Sequence, residues 1–537
     1  MNLAKCILPI VLLPVLAGCH VPLKPYRLDH PAIVVSPMAS DEEPPDVSYA
    51  AQKKDCVNAS TPICLAFIEV DDMGEFFDKG ELDTALAVIR RANDRTKSSP
   101  PENAPVVITF IHGWKNNAAH DNDNVKGFMR ALEQIYERNQ ARQIIGIYIG
   151  WRGDLIRSYF PISRQFSYYN REATAVRVPG VTVSSALAQI AARTHENRHG
   201  LVVFIGHSFG GLLLERSVSE ATASQIAQQT IFSQQAQETA ELSKSSTDAH
   251  EKDAAEQLRR DTTVAAKLAS DSRADLVIFI NPAGAATESK QMLDFLADNG
   301  YRYQPGLAGD EMQANVMPAP SADRDADRPL IVSLTSTADL ATKVALPIGH
   351  GLPYLGFKNG GSFRNLSQEP GKRYSLQCFD PHNEKHAYWN LDTKAAGGLS
   401  QGSYYLSSTP HMQILQSHDM LKATGPSQMR VSSTGQLIQI RDARAIAECN
   451  RDLLNQQGLN IVSTFRLYDT QTCFAVQERP NRCNGTPYWV MEIDPDVVPD
   501  HSTIFTQRLI SFLIDTFFST QGRPLVRITP QLMKAPH

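Results

Sequence analysis

The sequence predicts an α/β protein, with a mostly parallel central sheet covered by helices on both faces. Three observations predict it. Short apolar, β-branched runs alternate with longer stretches of helical period, the order of strand and crossover helix in a parallel sheet. The runs are apolar at nearly every position, as in strands buried on both faces. One of them, Leu201-Val-Val-Phe-Ile-Gly206, ends abruptly in His207-Ser208-Phe209-Gly210-Gly211 and leads into an Ala/Leu/Glu-rich helical segment, Leu212 to about Ala223. That reads as buried strand, sharp turn and helix, with Gly206 and Gly210 removing the Cβ atoms that would crowd the turn.

At 537 residues the chain can hold one large domain with insertions or two to three ordinary ones. Residues 1–18 read as a signal peptide: Lys5 supplies the positive charge, and Cys6 to Leu16 is an apolar core too short to span a membrane. Leu16-Ala17-Gly18-Cys19 resembles a bacterial lipobox. The resemblance implies cleavage before Cys19, lipid on its thiol and amine, and attachment to a membrane. His20 follows in place of the Asp that marks inner-membrane retention, which implies the outer membrane in a Gram-negative host. Residues 19–55, rich in Pro to about Tyr49, read as a tether.

Export leaves Cys56, Cys64, Cys378, Cys449, Cys473 and Cys483, an even number in an oxidising compartment, and so disulfides are expected. Proximity favours Cys56–Cys64 and Cys473–Cys483, leaving Cys378–Cys449. With no C-x-x-C pair, neither a zinc site nor any other metal is expected, and no cofactor motif stands out. The formal charge of −5 with no basic stripe gives no footprint for nucleic acid.

The folded part is expected to run from residue 56 to 537. Ile63–Val70 is its first strand and Gly80–Asn93 its first helix. Val106–Ile111 is a buried strand running into His112-Gly113-Trp114. A helix at about Asn124–Asn139 follows, with Val125, Phe128, Met129, Leu132 and Ile135 on one face. Ile144–Gly150 is a strand ending in Trp151-Arg152-Gly153, and Val181–Asn197 is helical. After the Ser208 turn, residues 224–273 are rich in Gln, Ala, Ser, Glu and Lys. They read as exposed helices inserted at the sheet edge, either a lid or, since the apolar face is thin, a solvated excursion. Asp275–Ile280 and Pro329–Leu334 are strands, the second ending in Thr335-Ser336-Thr337-Ala338-Asp339. A helix at Gln291–Asp298 and a loop at Pro318–Arg328 lie between them. Residues 340–486 break the alternation and read as an irregular, cysteine-containing insertion with short strands at Ser403–Leu406, Gln436–Ile440 and Ile461–Leu467. Tyr488–Ile493 is the last strand, Asp494–His501 a loop and Thr503–Phe518 the last helix.

Gly206-His207-Ser208-Phe209-Gly210, between strand and helix, resembles the nucleophile elbow of the serine α/β-hydrolases. His112-Gly113-Trp114 resembles that family's His-Gly-x oxyanion loop. A Ser hydroxyl needs a base to take its proton, and the base needs a carboxylate to orient it. The resemblance implies the chain order Ser, acid, His, with each residue just past a parallel strand. Asp339 fits the acid better than Glu288 or Asp294, because it lies nearest its strand end. His501 fits the base. His350, His382, His386, His411 and His418 fall in the insertion with no core strand before them, and His537 lies beyond the last helix. The oxyanion donors implied are the backbone N–H groups of Phe209 and Trp114, with His112 ordering the loop. Trp151-Arg152-Gly153 and Tyr169-Asn170-Arg171-Glu172-Ala173 also resemble a bacterial subset of predicted hydrolases.

These residues imply a membrane-tethered serine hydrolase that cleaves a carboxylic ester, lipid esters included, through an acyl-enzyme on Ser208. The same triad would serve an acyltransferase, and a hydrolase fold can also serve as a non-catalytic envelope binding protein. The expected partners are a small-molecule or lipid ester and the membrane, with no nucleic acid.

Overall fold

Each apolar run that the sequence marks as a core strand takes its place in one sheet. The computed structural model describes residues 24–27, 33–35, 62–153, 168–284, 289, 292, 295, 330–336, 338–339, 341, 412–416, 430–431, 437–438, 461–466, 473–478, 488–493, 495 and 497–514. The strands are β1 (Ile33–Val35), β2 (Ile63–Glu69), β3 (Val106–Ile111), β4 (Ile144–Gly150), β5 (Leu201–His207), β6 (Leu276–Ile280), β7 (Ile331–Ser336), β8 (Met412–Gln416), β9 (Arg430–Val431), β10 (Leu437–Ile438), β11 (Ile461–Arg466), β12 (Cys473–Glu478) and β13 (Tyr488–Ile493). The run β2-β4-β3-β5-β6-β7-β13 is parallel throughout.

The helices are α1 (Lys79–Thr96), α2 (Asp123–Arg138), α3 (Tyr168–Arg177), α4 (Val181–Thr194), α5 (Phe209–Ser245), α6 (Ala249–Asp271) and α7 (Gln507–Leu513). The strands alternate their side chains between two cores. Val107, Ile111, Val202 and Phe204 pack with α1, α4 and α5 on one face. Ile108, Phe110, Val203 and Ile205 pack with α2 and α7 on the other. The starts of α1 and α2 carry side-chain caps: Asp78 and Asn122 accept from the N–H groups of Gly80 and Asn124, each contributing about 1 kcal/mol.

Four expectations change. Part of the expected tether is folded: β1 pairs antiparallel with β2, and the main-chain N–H groups of Tyr26 and Arg27 donate to the Glu69 carboxylate. The 340–486 insertion is not wholly irregular, since β8, β12 and β11 extend the main sheet beyond β13. The last helix begins at Gln507 rather than Thr503. Asp500 captures the N–H groups of Ser502 and Thr503 in a local turn, and Thr506 caps the helix through Leu509 N–H.

The fourth concerns the 224–273 insertion. Its first half simply continues the helix that follows Ser208, so that α5 runs for 37 residues, about 55 Å. Strand β5, with seven residues, spans only about 23 Å. By Gln225 the helix already hydrogen-bonds Ser272, which lies before the start of β6. The α5–α6 hairpin therefore projects from the sheet edge opposite Ser208. It is a solvated excursion and not a lid.

Cys64 is buried in β2 and disulfide-bonded. Cys19, Cys56, Cys378, Cys449 and Cys483, the side chain of Cys473, and the expected elements at 318–328 and 403–406 lie outside the described residues; of the expected helix at 291–298 only Met292 and Phe295 are described, both helical.

Candidate active site

The turn after β5 is set by close packing. A Cβ on Gly206 would lie 2.6 Å from the Gly210 carbonyl oxygen, and one on Gly210 would overlap the carbonyls of Ile111 and His112. Ser208 itself takes φ 56°, ψ −125°, a conformation that costs a non-glycine residue about 1–3 kcal/mol and persists only where the surroundings impose it. They do so here. Ser208 N–H donates to Ile280 O at 3.1 Å, and Ser208 O accepts from Gly211 and Ala283 at 2.9 and 3.1 Å. The tight turn lifts the hydroxyl off the carboxyl end of the sheet.

The structure brings Ser208, Asp339 and His501 together. His501 Nε2 lies 2.8 Å from Ser208 Oγ, and Nδ1 lies 2.9 Å from each Asp339 oxygen. A carboxylate only accepts, so the proton sits on Nδ1 and the Nε2 lone pair faces the hydroxyl. Asp339 is fully buried and Ser208 nearly so, while the His501 side chain is 20% exposed. The three residues follow β7, β5 and β13, all ending at the same edge of the sheet.

The loop after β3 backs onto the same point. A Cβ on Gly113 would lie 2.7 Å from Ser208 Cβ. The rings of Trp114, which follows Gly113, and Phe209, which follows Ser208, stand 6.3 Å apart. His112 orders this loop. Its Nδ1–H donates to Gly113 O at 2.9 Å, and its Nε2 accepts from Trp151 N–H at 3.1 Å. Trp151 Nε1–H returns a bond to His112 O at 2.7 Å. Burial holds the His112 pKa down at about 4, so it stays neutral. The Trp151-Arg152-Gly153 motif is thus a brace for the loop. Arg152 and Arg171 both grip Asp72, at 3.1 and 2.7 Å, and Arg171 also donates to Arg152 O at 2.6 Å.

Sequence reasoning missed two residues beneath the site. His207 is buried, and its Nε2–H donates to His501 O at 2.8 Å. Asn281, fully buried with φ 44°, donates through Nδ2 to His501 O and Asp500 O at 3.1 and 3.3 Å. Its Oδ1 accepts from Ser336 N–H at 2.9 Å. A signal was present: His207 lies inside the elbow motif, and Asn281 is the first polar residue after an apolar strand. Among the described residues no group of His, Cys, Asp and Glu is arranged to hold a metal ion.

No protein-family model matches the chain, and neither a curated protein nor a solved structure matches it.

Proposed function

We propose that this chain is a serine hydrolase of the α/β-hydrolase type, that it cleaves a carboxylic ester, lipid esters included, and that lipid on Cys19 tethers it to the cell envelope. One observation carries the enzymatic reading. His501 Nε2 stands 2.8 Å from Ser208 Oγ while its Nδ1 meets Asp339, across sequence separations of 293 and 162 residues. Such a constellation has no packing purpose, and the chain order Ser, Asp, His is that of the α/β-hydrolases.

In this reading Ser208 Oγ attacks the ester carbonyl as its proton passes to His501 Nε2, and Asp339 stabilises the imidazolium. The N–H groups of Phe209 and Trp114 receive the developing oxyanion. Collapse expels the alcohol, which takes the proton from His501, and leaves an acyl group on Ser208. Water, deprotonated by His501, then attacks the acyl carbonyl; the acid leaves and Ser208 regains its proton.

Labelling with a fluorophosphonate probe tests the reading. The wild-type protein labels, and neither heat-denatured protein nor Ser208→Ala does. Equal labelling of Ser208→Ala would remove Ser208 from the mechanism. A folded wild-type protein that does not label would instead be a binding protein. Product analysis with and without an added alcohol separates hydrolysis from acyl transfer, and a series of ester chain lengths defines the substrate.

A further inference from the structure

We infer that His207 and Asn281 are positioning residues for His501: together they clamp its main-chain carbonyl and so hold the imidazole within reach of Ser208. The inference rests on the reading of Ser208 as nucleophile and His501 as base.

His501 lies in the stretch between β13 and α7, outside any helix or strand, so no ladder of backbone hydrogen bonds fixes it. The ring's bond to Ser208 is broken and remade as Nε2 gains and gives up a proton, so of the two ring bonds only that from Nδ1–H to Asp339 lasts through the cycle. The carbonyl is different, since its two donors keep their protons throughout. His207 supplies one at 2.8 Å and Asn281 the other at 3.1 Å. His207 is bonded directly to Ser208 and ends β5, and Asn281 follows β6. Base and nucleophile therefore share one rigid frame.

Asn281 extends that frame to the acid. Its Oδ1 holds Ser336 N–H, and the Ser336 carbonyl accepts from Asp339 N–H at 3.1 Å. Ser336 Oγ donates to Val498 O at 2.6 Å and steadies the start of the His501 loop. Only a short side chain with both a donor and an acceptor can make these bonds. Asn also tolerates the left-handed backbone at φ 44°. The Nε2–H of His207 is a constant donor: burial, reinforced by the nearby His501, holds its pKa down at about 3. Among the described residues its Nδ1 has no hydrogen-bond partner, so Nε2 makes the ring's one hydrogen bond there.

The test measures kcat and KM on p-nitrophenyl acetate and the rate of fluorophosphonate labelling, with thermal melts as the control. Asn281→Gly removes the side chain and keeps the left-handed backbone unstrained. His207→Phe removes the donor and keeps the ring, while His207→Gln puts an amide N–H near where Nε2 stood. Asn281→Gly and His207→Phe should each lower kcat and the labelling rate by about 10- to 100-fold with KM little changed, the loss expected for a base displaced by about an ångström. His207→Gln should recover most of that loss, which a merely structural role would not predict. Wild-type rates in both Asn281→Gly and His207→Phe, with Ser208→Ala inert, would overturn the clamp and leave the hydrolase reading standing. A His207→Gln as slow as His207→Phe would overturn the His207 half. Should His207→Phe fail to fold, Asn281→Gly and His207→Gln decide. A wild-type protein whose labelling does not depend on Ser208 would sink both proposals together.

Discussion

Gly113→Ala isolates the contact between the loop after β3 and Ser208. The glycine has no positive φ among the described residues, so alanine brings no backbone strain and acts through its Cβ alone. That atom would lie 2.7 Å from Ser208 Cβ, 2.9 Å from the His207 carbonyl oxygen and 3.0 Å from His207 Nδ1. Ordinary contact between carbons begins near 3.5 Å, so the overlap with Ser208 is about 0.8 Å. Ser208 cannot yield easily, being tied to Ile280, Gly211 and Ala283. The loop cannot yield easily either, because the His112–Trp151 bonds hold it. Overpacking of this kind costs about 1–3 kcal/mol, and the melting temperature should fall by roughly 2–6 °C. Whichever side moves, Oγ and the Trp114 N–H lose their mutual geometry. A displacement near an ångström costs about 100-fold in turnover. The assay is hydrolysis of p-nitrophenyl acetate alongside a thermal melt. Turnover within a fewfold of wild type would show that this loop takes no part in the chemistry. An unchanged melting temperature as well would show that the packing argument itself fails.

Four further outcomes are expected. Asp339→Asn should lower kcat by about 10⁴-fold, because the amide presents a donor to Nδ1–H and holds the wrong tautomer. His501→Ala should be comparably severe and His350→Ala, His411→Ala and His418→Ala mild; a lethal variant among the last three would place the base in the insertion. Glu81 is raised from its ordinary 4.5 to about 8, chiefly by burial and also by neighbouring Glu69 and Asp78. Its folded pKa exceeds the unfolded one, so its stabilisation is complete below pH 4.5 and is lost as pH rises through 8. Melting temperature should therefore decline between pH 5 and 8 more steeply in the wild type than in Glu81→Gln; parallel curves would refute the assignment. Cys19→Ser should release the protein from membranes washed with carbonate, since two or more acyl chains anchor stably without a spanning helix, and retention would refute the lipobox reading.

What the sequence by itself determined is local. The runs at Ile63, Val106, Ile144, Leu201 and Tyr488 declare buried strands because each carries its own apolar, β-branched pattern. The elbow declares itself because two glycines flank a serine at a strand end. Ser208, Asp339 and His501 were legible as candidates for the same reason, since each closely follows such a run. The starts of α1 and α2 were legible to within a residue. The true start of α7 was not, because Asp500 competes for the N–H groups that the apolar pattern would assign to the helix.

Tertiary structure alone decided which distant groups meet. Leu437–Ile438 fell within an expected strand yet stays outside the main sheet, while Met412–Gln416 and Cys473–Glu478, with weaker patterns, join it, since pairing depends on a neighbouring edge being open. The direction of the α5–α6 hairpin follows from helix length measured against strand length, which no composition reveals. The bond from His207 to the His501 carbonyl crosses 294 positions. A hydrogen bond of that reach leaves no periodicity in the chain, because its partners are chosen by the stacking order of strands rather than by their sequence neighbours.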